Sequence, residues 1–168
     1  MEFNIFTTLE KDNKELIHSA FLKFLIEEND LFIKEFLKSE SFINPKITLE
    51  KSYKSTKKGK NIRLDIEIKN DNRLIVIENK FKSFPNENQL IEYDKVLKKQ
   101  FSNFQTEKFL LCFDKNLFKK TNWIVKDYSD LLIFLEEYIN KISHIEKKLF
   151  VTHYYLFLKD YRDNYIKY

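Results

Sequence analysis

Apolar residues in 14–27 fall at Leu16, Ile17, Ala20, Phe21, Phe24 and Leu25. Steps of three and four predict an amphipathic helix there. A second helix is predicted over 31–38, and Pro45 and Pro85 punctuate the elements around them. From 46 to 53 the period falls to two, with Ile47 and Leu49 on one side, which predicts a strand. Residues 62–68 alternate cleanly, which sets Ile62, Leu64, Ile66 and Ile68 on one predicted face and Arg63, Asp65 and Glu67 on the other. Asn70-Asp71-Asn72-Arg73 has turn chemistry, and 74–80 reads as the next strand. A helix over 86–99 aligns Leu90, Tyr93, Val96 and Leu97. Short apolar strands are predicted at 108–113 and 123–125. Ser129 and Asp130 suit the first turn of a helix over 129–142, and a strongly aromatic helix follows over 145–161. This order predicts an α/β fold with a small mixed sheet flanked by helices and extra C-terminal helices.

Composition narrows the chemistry. The chain has 168 residues, 43% hydrophobic and 16% aromatic, which suits one domain over 1–168 with a sizeable core and excludes wholesale disorder. Its one glycine, Gly59, excludes a glycine-rich phosphate loop and a dinucleotide fingerprint. No G-x-S-x-G nucleophile elbow is present either. Thirty basic against 26 acidic residues leave +4, a mild excess compatible with a nucleic-acid partner. The lone Cys112 excludes a disulfide framework and a cysteine-rich zinc site, and its apolar surroundings predict a buried thiol. The start of the chain lacks signal-peptide character and no apolar run is long enough to span a bilayer, so a cytoplasmic protein without membrane contact is expected.

The hairpin over 62–80 is the informative segment. A two-residue turn at Asp71-Asn72 places Asp65 opposite Glu78, Arg63 opposite Lys80 and Glu67 opposite Val76. Facing side chains of one sheet face lie about 4.5–5.5 Å apart at Cβ, and like charges there destabilise a sheet. A divalent cation would offset the repulsion between Asp65 and Glu78, because hard oxygen ligands from one or two carboxylates are how Mg²⁺ is usually held. Lys80, two residues beyond Glu78 and on its face, would orient a water and steady developing negative charge. An accidental charge cluster on an exposed sheet face is the plain alternative.

Asp65, then twelve residues, then Glu78-Asn79-Lys80 resembles the D…(D/E)-x-K signature of the PD-(D/E)XK nuclease superfamily. The run 61–66, Ile77-Glu78-Asn79-Lys80, Asn88-Gln89-Leu90 and Tyr93 resembles the branch that reads "DI…IENK…NQL..Y". Glu15 with His18-Ser19 looks like that branch's first-helix motif, and Trp123, Tyr128 and Asp130-Leu131-Leu132 like its later segment. Position 64 is Leu where the superfamily's name has Pro, a departure many members share. The resemblance implies a restriction-endonuclease-like α-β-β-β-α-β core and metal-assisted hydrolysis of phosphodiesters. It further implies that Asp65, Glu78 and the backbone carbonyl of Asn79 hold Mg²⁺, with Mn²⁺ able to substitute. Lys80 would position the attacking water, Glu15 would add an acidic group from the first helix, and Gln89 would approach from the helix after the third strand. DNA is the implied substrate, with RNA left open, in a bacterial or phage defence, restriction or repair setting. A homodimer would suit the cutting of both strands. The reading from another class is a catalytically inactive nuclease-fold module that binds nucleic acid or a partner protein.

Several residues keep two readings. Glu15 is equally a solvated helix glutamate, His18 a surface histidine and Tyr93 a core residue. The basic stretch 51–60, with Lys57, Lys58 and Lys60 at its tip, is either a contact for nucleic-acid phosphates or a solvated hairpin end. The aromatic run 150–161 is expected to pack in the core or at a dimer interface rather than to stack bases.

Overall fold

A computed structural model describes residues 4–8, 15–81, 86–114 and 121–165; Pro85 lies outside them. The elements are α1 (Ile5–Thr8), α2 (Glu15–Glu28), a π-helical segment (Phe32–Leu37), β1 (Lys46–Lys54), β2 (Asn61–Lys69), β3 (Arg73–Lys80), α3 (Glu87–Gln100), β4 (Gln105–Cys112), β5 (Ile124–Asp127), α4 (Tyr128–Lys141) and α5 (Ile145–Tyr165). The strands form one mixed sheet in the order β1-β2-β3-β4-β5, antiparallel from β1 to β3 and parallel from β3 to β5. The expected α/β class, with a small mixed sheet flanked by helices and extra C-terminal helices, is the one found.

Local chemistry explains the boundaries. Asn70 closes the β2–β3 turn by accepting from the amides of Asn72 and Arg73 at 3.3 and 2.9 Å. Asn86 caps α3 through the Asn88 amide, and Asp127 forms a reciprocal capping box with Asp130 at the start of α4. The second predicted helix is present but wound as a π-helix, closed by Lys38 at φ 60°. The short α1 carries no sequence signal strong enough to predict it; it is held by contacts to α5, with Ile5 N–H donating to His153 Nδ1 at 3.3 Å.

Two cores sandwich the sheet. One joins α2, the π-helical segment, α4 and α5 to Ile66, Ile68, Ile75, Ile77, Phe109 and Leu111. The other joins α3 to Ile62, Leu64, Leu74, Val76 and Leu110. α5 belongs to the first core through Val151, Tyr154, Phe157 and Leu158, so its aromatic run packs inward. Cys112 is buried, and burial pushes its thiol up to about 11.

Two sequence expectations change. First, the buried face of α2 carries His18, Ser19, Phe21, Leu22, Leu25 and Ile26, while Leu16 is 46% exposed and Ala20 is exposed. The helix turns its His and Ser inward because both find buried hydrogen-bond partners there. Second, the alternation of β2 does not hold on one face: Ile66 and Ile68 enter the first core, whereas Ile62 and Leu64 enter the second. β1 turns over in step, with Ile47 and Leu49 on the first core and Tyr53 on the second. The change of face falls at Glu50, which adopts φ 50°, and at Asp65, which has no registered partner on either neighbouring strand. A left-handed residue rotates the chain beyond it, and the cost for a side chain there is roughly 1–2 kcal/mol.

That geometry has a clean signature. Glu50→Gly is expected to be more stable than Glu50→Ala by about 1 kcal/mol, since both lose the carboxylate and only glycine is at ease at positive φ. At Ser52 of the same strand the order should reverse. Thermal melts of the four variants check this, and an alanine advantage at position 50 would contradict the left-handed backbone.

Candidate active site

The site lies where β2 and β3 part. The β2–β3 register is the one the turn predicts, from Lys69↔Leu74 to Ile66↔Ile77, and the ladder ends there. Asp65 and Glu78 are therefore close without being a ladder pair. Asp65 Oδ2 instead accepts the Asn79 amide at 2.7 Å, substituting for the carbonyl that a continuing strand would have offered. Nor does Arg63 face Lys80: Arg63 pairs with Ser52 of β1, and its guanidinium meets Glu50 at 3.1 Å.

Around Glu78 the sequence candidates converge. Glu78 has no exposed surface. Its Oε1 receives Lys80 Nζ at 2.7 Å and Gln89 Nε2 at 3.1 Å. Lys80 Nζ also reaches Glu15 Oε2, from the first turn of α2, at 3.9 Å. The structure thus brings Asp65, Glu78, Lys80, Glu15 and Gln89 together from β2, β3, α2 and α3. Tyr93 supports the group from below: its hydroxyl is 2.6 Å from Gln89 Nε2 and donates to the Arg63 carbonyl at 2.7 Å.

The electrostatics are strained in one direction. Burial first, and the Asp65 charge second, push the Glu78 carboxyl up to about 8. Burial also raises Asp65, against the pull of the Asn79 amide and Lys80. For Lys80, burial acts to lower the value, but the surrounding carboxylates, Glu78 foremost, outweigh it and raise it. Lys80 is therefore an ammonium at neutral pH, a donor rather than a base. Glu78 Oε2 is buried and receives no hydrogen bond from a donor among the described residues; it faces the Asp65 carboxyl, and that contact acts to lower Asp65. A carboxylate oxygen set against a second carboxylate fits a hard cation. No group of three or more His, Cys, Asp or Glu side chains that could hold a metal is found among the described residues.

Asn79, the middle residue of the motif, points into the first core. Its Nδ2 donates to Ser19 Oγ at 3.1 Å, and Tyr128 donates its hydroxyl to Asn79 Oδ1. These bonds tie β3 to α2 and α4 and fix the backbone between Glu78 and Lys80. His18 belongs to the core: it is fully buried, stacks on Phe81 at 3.6 Å and shares a hydrogen bond with Tyr154.

Of the basic stretch, Lys51 and Lys54 sit on β1, and the loop proper is 55–60, with Lys57, Lys58 and Lys60 exposed. Gly59 takes φ 76° at its tip. The loop is anchored: Ser55 Oγ, Thr56 N–H and Thr56 Oγ1 all donate to Glu92 Oε1, at 2.6, 2.7 and 2.6 Å. Those bonds hold the Glu92 carboxyl down to about 2. Sequence reasoning missed Glu92, because a glutamate on a helix reads as solvated surface until the loop folds over it.

A mixed sheet with helices on both faces and acidic residues gathered where two strands diverge is the architecture of restriction-endonuclease-like proteins. The sequence model of the PD-(D/E)XK nuclease superfamily matches residues 3–159, and the chain belongs to that superfamily. Comparison with curated proteins and with solved structures finds no match. No described helix is long and apolar enough to cross a membrane.

The raised Glu78 carboxyl gives a pH signature. Folded, it holds its proton to about 8, against an ordinary value of 4.5. The folded state thus binds more protons between those values, and the stability this contributes is lost as pH rises through about 8. In EDTA the melting temperature should fall from about pH 5 to about pH 8, and Glu78→Gln should flatten most of that fall. A parent-like slope in Glu78→Gln would place the titrating group elsewhere.

Proposed function

We propose that the protein is a divalent-metal-dependent nuclease that hydrolyses phosphodiester bonds of DNA, with one nuclease domain over 1–168. The observation that carries this reading is the buried carboxyl pair: Glu78 Oε2 receives no donor among the described residues and lies against Asp65. Asp65, Glu78 and the Asn79 carbonyl would hold the ion, Mg²⁺ by the hardness of the donors, with Mn²⁺ a substitute. Bound there, the ion supplies Lewis acidity at a phosphoryl oxygen and lowers the pKa of a coordinated water.

The remaining groups have distinct tasks in this reading. Lys80, an ammonium held by Glu78 and Glu15, orients the attacking water and faces the negative charge that develops on phosphorus-bound oxygens. Gln89 grips Glu78 Oε1 from α3, which leaves Oε2 for the ion. Glu15 steadies the Lys80 ammonium. The superfamily's common setting, defence or restriction in bacteria and phage, is carried over as part of the proposal, and a homodimer would let one assembly cut both strands.

Supercoiled plasmid, single-stranded DNA and RNA incubated with Mg²⁺, Mn²⁺ or EDTA test the activity. Metal-dependent cleavage of DNA is expected. Asp65→Asn, Glu78→Gln and Lys80→Ala should each lower the rate by about 10²-fold or more. Divalent metal should also raise the melting temperature of the parent but not of Asp65→Asn. Cleavage undiminished in Glu78→Gln, or absent on every substrate, would sink the reading.

A further inference from the structure

Beside Gln89 a groove of about 290 Å³ runs between the β1–β2 loop and the first turns of α3. Lys57, Lys60 and Arg63 line one wall. The other wall carries the amide side chains of Asn86, Asn88 and Gln89. Lys58, although on the same loop, is not among the lining residues. Arg63 meets Glu50 in an exposed pair, with side chains 62% and 37% exposed, which an incoming anion can displace at little cost. The one carboxylate on the walls, Glu92, is spent on Ser55 and Thr56. Cations on one side, the Asn86 and Asn88 amides on the other and no uncommitted acid in between suit a sugar–phosphate chain, while the Gln89 amide is spent on Glu78 and Tyr93. The groove leads to Glu78 through Gln89.

We infer that this groove carries the nucleic-acid strand next to the bond being cut, and that Glu92 is the positioning residue that latches the basic loop along it. The inference rests on the nuclease reading for its direction, because the groove opens beside the proposed site. Three donors converge on one Glu92 oxygen, so the carboxylate fixes the direction of the loop where it leaves β1, just before Lys57 and Lys60. Without the latch, the loop must be ordered anew for each binding event, and affinity falls. Charge alone predicts the opposite: deleting an acid from a phosphate-binding surface should tighten binding. The sign of the effect therefore separates a latch from a bystander.

Fluorescence anisotropy with a short labelled DNA duplex, its single strand and the matching RNA, recorded in EDTA across a salt series, provides the test. Neutralising Lys57, Lys60 and Arg63 together should weaken binding by about tenfold or more and reduce the salt slope by roughly two to three, whereas Lys58→Ala should leave both unchanged. Glu92→Ala should weaken binding by about tenfold, the scale of ordering a loop residue, while Glu92→Gln, which keeps an acceptor oxygen, should remain near the parent. Ser55→Ala with Thr56→Val should copy Glu92→Ala, and combining all three should add nothing further. Tighter or unchanged binding by Glu92→Ala, or an equal loss in Lys58→Ala, would overturn the inference. Binding does not require cleavage, so the two readings fail separately. A protein that binds through this groove but never cuts removes the hydrolysis reading alone. One that cuts plasmid while these variants bind like the parent removes the groove alone. The strongest binder among the three oligonucleotides identifies the form of strand the groove takes.

Discussion

Glu78 has no solvent, and its nearest charged neighbours are another carboxylate and one lysine. Removing a carboxylate from water costs several kcal/mol unless something compensates it. Lys80 and Gln89 compensate one oxygen and leave the other against the Asp65 carboxyl, with no donor from elsewhere among the described residues. Much of the surrounding architecture is arranged around this imbalance. α2 brings Glu15 to the Lys80 ammonium, α3 brings Gln89 to the carboxylate, and Ser19 and Tyr128 pin the peptide in between through Asn79. A protein selected for stability alone would have placed an apolar residue at position 78. In a member of a nuclease superfamily, two adjacent carboxyls are donors that a hard cation fits.

The coordinated turn-over of β1 and β2 is the second constraint. Glu50 at positive φ and the unpaired Asp65 lie between Leu49↔Ile66 and Lys51↔Leu64, so both strands exchange faces without losing register. The exchange frees the Asp65 carboxylate from the ladder and lets it take the Asn79 amide. It also sends the far ends of both strands toward α3, where the loop between them meets Glu92. One local distortion thus serves the carboxylate pair and the groove beside it, an instance of backbone strain concentrated where function is expected.

The helical faces were legible wherever burial was purely apolar. Leu90, Tyr93, Val96 and Leu97 on α3 are buried as their spacing implies, and the aromatic run of α5 packs inward. Reading failed where polar residues were buried. His18 has a surface reading from its spacing, yet Tyr154 gives it a buried partner beside Ser19, which bonds Asn79, so the inward face of α2 is rotated from the one expected. The same holds for Glu92, whose partners lie on a loop more than thirty residues earlier in the chain.

By itself the sequence determined the element order from α2 onward, the hairpin register up to Ile66↔Ile77 and the residues that meet at its open end, because period, turn chemistry and motif spacing are local quantities. The single glycine was equally decisive, since it removed phosphate loops built from bare backbone and left acidic and basic side chains to handle any phosphate. Only the tertiary structure decided that Asp65 leaves the ladder, that Glu78 keeps an oxygen against the Asp65 carboxyl, and that three lysines of one loop divide into two that line a groove and one that does not. Those outcomes depend on desolvation and on hydrogen bonds between distant segments, and neither quantity exists until the chain has folded.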